Sequence, residues 1–166
     1  MPSTEAIANP RAALRLFQYG LHVLTCRQGD EVHGGIISWV TQVSLQPKRV
    51  AIAVRKDGQM VQVLREVGRF ALNIVGAGQE ELASAFFRRV TTAVGSDLAG
   101  YPWEPGLRTG APLLLDTVAW LECQVVEEAN AGGDHALFVA EVVGGGVRRP
   151  DARSLNLAST PWSYGG

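Results

Sequence analysis

The sequence carries little charge, and that charge is nearly balanced. Only 19% of the 166 residues are charged, with 15 Lys and Arg against 16 Asp and Glu, so the formal net charge is −1. Proteins that bind nucleic acid through its phosphates usually concentrate positive charge. The composition therefore predicts no nucleic-acid partner, and the 46% of hydrophobic residues excludes a largely disordered chain.

Cysteine and histidine are scarce. The two cysteines, Cys26 and Cys123, lie in apolar stretches and form no Cys-x-x-Cys pair, which predicts buried free thiols in a reducing compartment. The three histidines, His22, His33 and His135, fit no metal-ligand spacing. We therefore predict that the protein has no metal site.

Long hydrophobic runs are missing as well. No stretch approaches the ~18 apolar residues of a membrane-spanning helix. The first ten residues, MPSTEAIANP, have neither the basic start nor the apolar centre of a secretory signal. The sequence predicts no membrane partner and a cytoplasmic location.

The chain has the size of one domain. Its 166 residues suffice to bury roughly two thirds of the surface of the unfolded chain without cross-links. We find no internal repeat or low-complexity block and predict a single domain over 1–166. It comprises an N-terminal helical segment over 1–20, a Gly- and Pro-rich loop over 93–112 that could serve as a lid or dimer arm, and a C-terminal tail over 148–166.

Hydrophobic periodicity predicts mostly strands. Apolar or alternating runs predict strands over 21–26, 36–45, 50–54, 69–75, 113–129 and 135–147. Helical spacing predicts helices over 11–20, from Asp57 as the cap to Gly68, and over 79–89. A turn over 27–35 would join the first two strands as a hairpin. Such an order favours a mainly β fold, an antiparallel barrel with peripheral helices.

One glycine motif looks like a dinucleotide fingerprint but fails on its spacing. VGAGQEE, over 75–81, follows a strand and opens a helix, yet the third glycine of GxGxxG would fall on Glu81. Glu80 and Glu81 would also repel a pyrophosphate at the helix start. A glycine turn before an acidic helix start explains the motif better.

The segment GGIISWVTQVSLQP places polar residues on a strand that otherwise looks buried. Strict alternation gives this strand two faces, one with Ile37, Trp39, Thr41 and Val43, the other with Ser38, Val40, Gln42 and Ser44. A half-exposed strand explains the pattern by itself. A ligand site is the alternative.

The order of these segments resembles the flavin reductase-like family. The likeness rests on LHVLTC, HGGIISWVTQVSLQP, VAIAV, VGRFALNIV, ELASAFF and GDHALFVAEVV, which span most of the chain. Within that family the sequence resembles flavoredoxins and the reductase modules of flavodiiron proteins, and the terminal WSYGG resembles endings in that group. The resemblance implies an antiparallel Greek-key split β-barrel of the FMN-binding type that forms a homodimer.

The resemblance also implies where the cofactor lies, with FMN expected and FAD as the alternative. Ser38, Trp39, Val40 and Thr41 would lie along the flavin, and the further cofactor-binding residues would be Ser44, Arg55, Lys56, Met60 and Phe87. A flat ring needs apolar or aromatic walls and a few fixed donors, whereas a phosphate needs N–H or O–H groups or a cation. A cation near the ring would stabilise the reduced flavin anion.

The chain departs from the family pattern in ways that concern the phosphate. His33 stands where relatives often carry Asn, and Lys48 replaces the second residue of a common Pro-Pro pair. VRKDGQM lacks the hydroxyl residues that many relatives place near the phosphate. Substitutes would be Lys56, the start of the helix after Asp57, or Arg88 and Arg89. The two arginines fit a solvated helix end equally well.

Asp134 and His135 begin the last predicted strand. In the family, Gly-Asp-His at this place is associated with nicotinamide binding, so the resemblance implies that both residues bind nicotinamide and that His135 is catalytic. Hydride transfer requires the two rings in near contact, oriented by polar groups. A His held by an Asp has a fixed direction and a charge that responds near neutral pH. A turn Asp and a strand-end His are the structural alternative.

The resemblance implies an enzyme, an NAD(P)H-dependent flavin oxidoreductase. It would pass hydride from the nicotinamide to FMN and electrons onward to free flavin or a partner protein. A non-catalytic FMN-binding protein or electron carrier of the same fold is the alternative. A split barrel that binds haem or no cofactor is a third possibility.

Overall fold

The computed structural model describes residues 8–166, and the predicted N-terminal segment before residue 8 lies outside them. In the described residues, strands dominate. They are β1 His22–Gln28, β2 Glu31–Ile37, β3 Val40–Leu45, β4 Lys48–Arg55, β5 Arg69–Ile74, β6 Val90–Ala93, β7 Trp103–Pro105, β8 Pro112–Leu114, β9 Ala119–Ala129 and β10 His135–Val147. The helices are α1 Pro10–Leu14, α2 Met60–Val67 and α3 Glu80–Ser84, and a 3₁₀ turn spans Leu157–Ser159.

Eight strands form one antiparallel sheet in the order β3-β4-β10-β9-β5-β1-β2-β6. β7 and β8 form a separate antiparallel pair. Between β2 and β3 the chain crosses through Ser38 and Trp39 from the last strand but one of the sheet order to the strand at its opposite end. That crossing brings the end of β2 and the start of β3 together at the residues that the sequence marked as a ligand site.

The first hairpin is tighter than predicted. β1 pairs with β2 from His22 opposite Ile37 to Gln28 opposite Glu31, and a two-residue turn joins them with Gly29 at φ 60°. Gly at the first position of a two-residue turn suits the twist of a hairpin. The predicted turn over 27–35 and the continuous strand over 36–45 are therefore wrong, since residues 31–37 belong to β2 and a separate strand starts at Val40.

α2 follows the prediction except at its start. Met60, Val61, Val63 and Leu64 are buried, and Gly68 ends the helix in the left-handed conformation at φ 65°. The predicted cap, Asp57, is wrong because its carboxylate is bound by Arg55. The N-cap position belongs to Gln59, whose side chain makes no capping hydrogen bond.

The other two helices are shorter than predicted. α1 ends at Leu14, so the predicted helix over 11–20 is cut to one turn, and Leu16 and Phe17 are 81% and 61% exposed. α3 ends at Ser84, and Leu82 and Phe86 are buried. Arg88 and Arg89 lie beyond α3. The alternative that they form the solvated end of this helix is therefore wrong.

The predicted loop over 93–112 is anchored to the sheet by one buried carboxylate. Glu122 Oε1 on β9 accepts hydrogen bonds from the backbone N–H of Arg108 at 3.0 Å and of Thr109 at 2.9 Å, and from the Thr109 hydroxyl at 2.9 Å. The loop contains β7 and ends where β8 begins. The predicted strand over 113–129 is interrupted between Leu114 and Ala119.

Two hydrophobic clusters fill the interior. One packs α2 against β1, β4, β5, β9 and β10, and contains Leu24, Ile37, Met60 and Phe138. The other packs α3 and the C-terminal segment against β1 and β2, and contains Leu21, Phe86 and Leu157. Cys26 and Cys123 are buried and free, as predicted, and burial raises the pKa of the Cys123 thiol to about 12.

Candidate functional site

The turn before β10 is held rigidly. The Asn130 side-chain amide donates to the His135 carbonyl at 2.9 Å, and the Lys56 backbone N–H donates to the Asp134 carbonyl at 3.0 Å. The Lys56 ammonium donates to the carbonyls of Asn130 and Ala131 at 2.8 and 2.9 Å. These bonds fix the place of the His135 ring relative to β4.

The His135 ring bridges Asp134 and Tyr164. Its Nδ1 lies 2.7 Å from Asp134 Oδ1, and its Nε2 lies 2.6 Å from the Tyr164 hydroxyl. The hydrogen bond with the His135 ring is the largest cause that lowers the pKa of the Asp134 carboxyl, whereas burial raises the pKa of the Tyr164 hydroxyl. A carboxylate accepts, so Nδ1 donates to it. In neutral His135, Nε2 is then an acceptor and the Tyr164 hydroxyl donates to it.

Aromatic rings surround this bridge. The Trp39 ring lies 4.5 Å from the His135 ring and 5.1 Å from the Tyr164 ring, between centroids, the latter edge to face. Trp39 Nε1 is buried and has no partner among residues 8–166. Trp39 therefore forms a wall that has one unused donor.

The C-terminal tail runs over this wall. A Cβ on Gly165 would lie 3.0 Å from the Trp39 ring, so the backbone passes close to it. Arg15 Nε donates to the Gly165 carbonyl at 3.3 Å, and Trp162 packs edge to face on Phe87 with centroids 4.6 Å apart. Sequence reasoning missed the contribution of Trp162 and Tyr164. The two aromatic residues in an otherwise short polar tail were the available signal.

Two cavities meet at Trp39, Arg55 and Tyr164. The outer cavity, of about 680 Å³, is lined by these residues together with Tyr19, Lys56, Asp57, Asp134 and His135. The inner cavity, of about 550 Å³, lies where the two hydrophobic clusters meet, and its lining includes Leu24, Ile37, Ser38, Met60, Phe87, Arg89 and Trp162. Both volumes fall in the range of small-molecule sites.

The structure brings most of the predicted site residues to these cavities. Ser38, Trp39, Arg55, Met60 and Phe87 line the inner cavity; Lys56, Asp134 and His135 line the outer one. It does not bring there the remaining three, Val40, Thr41 and Ser44. These lie on β3, the edge strand that leads away from the cavities. Thr41 is exposed, and Val40 packs against the hydrophobic cluster that includes α2.

The cations at the cavities differ in how they are engaged. Arg55 binds the Asp57 carboxylate with Nε at 2.9 Å and Nη2 at 2.5 Å, and these hydrogen bonds are the main cause that lowers the pKa of Asp57. The Lys56 ammonium donates hydrogen bonds to the Asn130 and Ala131 carbonyls. Arg89 lies in the inner cavity, whereas Arg88 lines neither cavity.

The inner cavity has the chemistry that a flavin needs. Its walls are mainly aliphatic and aromatic, its polar groups are few, and the guanidinium groups of Arg55 and Arg89 line it. The Trp39 ring adds an aromatic wall at its border with the outer cavity. These features match a flat, largely apolar ring that carries a polar, phosphate-bearing chain.

This fold and site define a flavin oxidoreductase of the split-barrel class. A model of the flavin reductase like domain matches residues 14–160, and the chain belongs to that family. The family, the mainly β antiparallel fold and the flavin reductase type of oxidoreductase predicted from the sequence are thereby confirmed. The assignment of individual residues stays a prediction.

Known relatives bear this out. The structure of the NADH:FAD oxidoreductase SgcE6 of Streptomyces globisporus C-1027 matches with a TM-score of 0.76 and 31% identity, covering 92% of each chain; another was determined in complex with NAD and FAD fragments. The NADH-dependent flavin reductase StyB of Pseudomonas fluorescens is 33% identical over 86% of this chain and 79% of its own length.

Larger relatives contain this domain as one part. The putative diflavin flavoprotein A 2 of a Nostoc species is 32% identical over 86% of this chain, which spans only 24% of that protein.

In the described part of the chain, no helix is long and apolar enough to cross a membrane.

Proposed function

We propose that this chain is an NAD(P)H-dependent flavin reductase with FMN in the inner cavity and the nicotinamide nucleotide in the outer one. The observation that carries the proposal is that Trp39 and Arg55 border both cavities, so ligands in the two would meet at that border. Bound flavin would supply the hydride-accepting chemistry, which no side chain provides.

The inner cavity offers separate surfaces for the ring and for the phosphate. Leu24, Ile37 and Met60 form an apolar wall for the ring, with Ser38 as a polar neighbour. Arg89 is the cation we assign to the phosphate, because Lys56 is engaged by two carbonyls and Arg55 by Asp57. Such pairing with a guanidinium is strong and directional.

His135 orients the nicotinamide rather than moving the hydride. Asp134 fixes its ring, and its Nε2 points to the place where Tyr164 now lies. Nicotinamide binding to Nε2 requires the Tyr164 hydroxyl to give up its bond. Arg55 and Lys56 line the same outer cavity, where Asp57 and Asp134 balance their charge.

An electron carrier without nicotinamide chemistry is the second candidate. The Tyr164 bond to His135 favours it, since the hydroxyl already occupies the group that would orient the nicotinamide. A carrier would bind FMN and accept electrons only from a protein partner. The two candidates differ in their response to NADH and NADPH.

The experiment mixes FMN-loaded protein with NADH or NADPH without oxygen and follows the flavin absorbance. An enzyme bleaches the flavin bands. His135→Ala should slow bleaching by about a hundred-fold or less while FMN affinity is retained, because His135 does not line the inner cavity. Bleaching by dithionite but not by either nucleotide would identify a carrier, and an absorbance spectrum without flavin bands would contradict both.

We further propose a homodimer. Exposed apolar side chains support it: Leu16 and Phe17 after α1, and Val43 and Leu45 on the edge strand β3. Unpaired edge strands with apolar side chains tend to be covered by a partner. Light scattering should give twice the chain mass, and Leu45→Glu should reduce it towards that of one chain.

A further inference from the structure

A chain of polar groups links the surface of α2 to the inner cavity through a buried histidine. His33, on β2, is 3% exposed. Its Nε2 lies 3.0 Å from Gln28 Oε1, and its Nδ1 lies 2.7 Å from Arg89 Nη1 and 3.0 Å from the Thr91 hydroxyl. The Gln28 side-chain amide in turn donates to Glu66 at 2.6 Å.

The direction of these hydrogen bonds fixes the form of the His33 ring. A guanidinium only donates, so Nδ1 must accept from Arg89 and carry no proton. The proton is then on Nε2, which donates to Gln28 Oε1. Burial, followed by the positive charge of Arg89, lowers the pKa of His33, and Glu31 opposes this weakly. Both effects favour the neutral ring that the contact with Arg89 needs.

The contacts of Arg89 leave one edge of its guanidinium free. Nη1 donates to His33 and Thr91, and Nη2 donates to the Gln59 side chain. Among residues 8–166, Nε and the second N–H of Nη2 have no partner. Nε and Nη2 form the edge that Arg55 uses to bind Asp57 in this chain, and a phosphate binds such an edge in the same way.

We propose that His33 is a positioning residue that holds Arg89 so that its free edge binds the phosphate of the flavin, and that it thereby sets the preference for phosphorylated flavins over riboflavin. This inference rests on the proposed function. His33 lines neither cavity, so it acts only through Arg89. Its ring supplies the acceptor that keeps a long, flexible side chain in one place.

The test compares the affinities of FMN, FAD and riboflavin for three variants by flavin fluorescence. His33→Leu keeps the bulk of the ring but has no acceptor, and it should weaken FMN and FAD binding about ten-fold and leave riboflavin unchanged. His33→Asn places an oxygen near the site of Nδ1 and should restore FMN affinity to within about three-fold of the wild type. Arg89→Gln should match His33→Leu, and Arg88→Gln, its matched control, should bind like the wild type.

Each result decides between specific alternatives. FMN binding that is unchanged in His33→Leu but weakened in Arg89→Gln overturns the role of His33 alone. Equal losses for FMN and riboflavin in a folded His33→Leu variant also overturn it, since they indicate a packing role. A wild-type chain that binds no flavin overturns the proposed function and this inference together. If His33→Leu does not fold, Thr91→Val, which removes the other contact shared by His33 and Arg89, must show the same selective loss.

Discussion

The Tyr164 hydroxyl lies 2.6 Å from Nε2 of His135, although 29 residues separate them in the sequence. Asp134 holds the other ring nitrogen at 2.7 Å. Both polar groups of the ring are therefore engaged by the chain itself. A nicotinamide that uses His135 has to compete with Tyr164, so access to the outer cavity depends on the C-terminal tail.

Tyr164→Phe should improve nicotinamide binding. The change removes one hydrogen bond to His135, which contributes about 1 kcal/mol, and keeps the aromatic contact with Trp39. The KM for NADH or NADPH should fall about five-fold with FMN affinity unchanged. Steady-state kinetics at saturating FMN measures this. Tyr101→Phe, in a tyrosine that lines neither cavity, is the control, and a higher KM in Tyr164→Phe would mean that the hydroxyl helps to bind the nucleotide.

Glu122→Ala should destabilise the fold and free the loop over 106–111. The variant leaves the N–H groups of Arg108 and Thr109 and the Thr109 hydroxyl without their acceptor. We expect a loss of about 2–4 kcal/mol in the free energy of unfolding, measured by urea denaturation. Gln124→Ala, at an exposed position of the same strand, should change it by less than about 0.5 kcal/mol. Equal losses in the free energy of unfolding in the two variants would show that Glu122 does not anchor the loop.

Gly34→Ala should be costly for a steric reason. A Cβ there would lie 2.9 Å from the Phe86 ring and 3.0 Å from the Leu98 side chain, and both side chains are fully buried. Overpacking of this kind costs about 1–3 kcal/mol. Gly132→Ala, where a Cβ meets no atom within 4 Å, is the matched control. Thermal unfolding of the two variants measures the difference. Equal melting temperatures would show that the Phe86 and Leu98 side chains move to make room for the added methyl group.

His22 should make the stability depend on pH. Burial lowers the pKa of His22 from 6.5 to about 4, so the folded protein holds the ring neutral while the unfolded chain protonates it below 6.5. The free energy of unfolding should therefore be highest above pH 6.5 and fall towards pH 4, by up to about 3 kcal/mol. Urea denaturation across this range measures it. His22→Phe should flatten the curve, and an unchanged slope would place its origin elsewhere, with His33 as the next histidine to replace.

The local hydrophobic pattern was enough to predict those elements that bury one apolar face against the rest of the protein. The spacing of Met60, Val61 and Leu64 predicts α2, because one stripe of a helix must be buried. The end of α2 at Gly68 was also predicted correctly from the sequence. The Asp134 and His135 turn could be placed before the last strand because turn residues act locally.

The pattern failed where packing overrode it. The alternation of residues 36–45 continues without interruption through Ser38 and Trp39, yet the chain there leaves β2 and crosses to the far edge of the sheet. Leu16 and Phe17 have helical spacing but are largely exposed, with no surface to pack on among residues 8–166. Neither outcome depends on neighbours in sequence, so neither could be predicted from local periodicity.

The sequence by itself determined the class of fold, the family and eight of the residues that line the two cavities, because these depend on short apolar patterns and on motifs in a fixed order. Only the tertiary structure decided that Tyr164 meets His135 and that His33 holds Arg89. These contacts join residues 29 and 56 positions apart, and a pairing over such distances is set by the order of strands in the sheet and by the path of the tail.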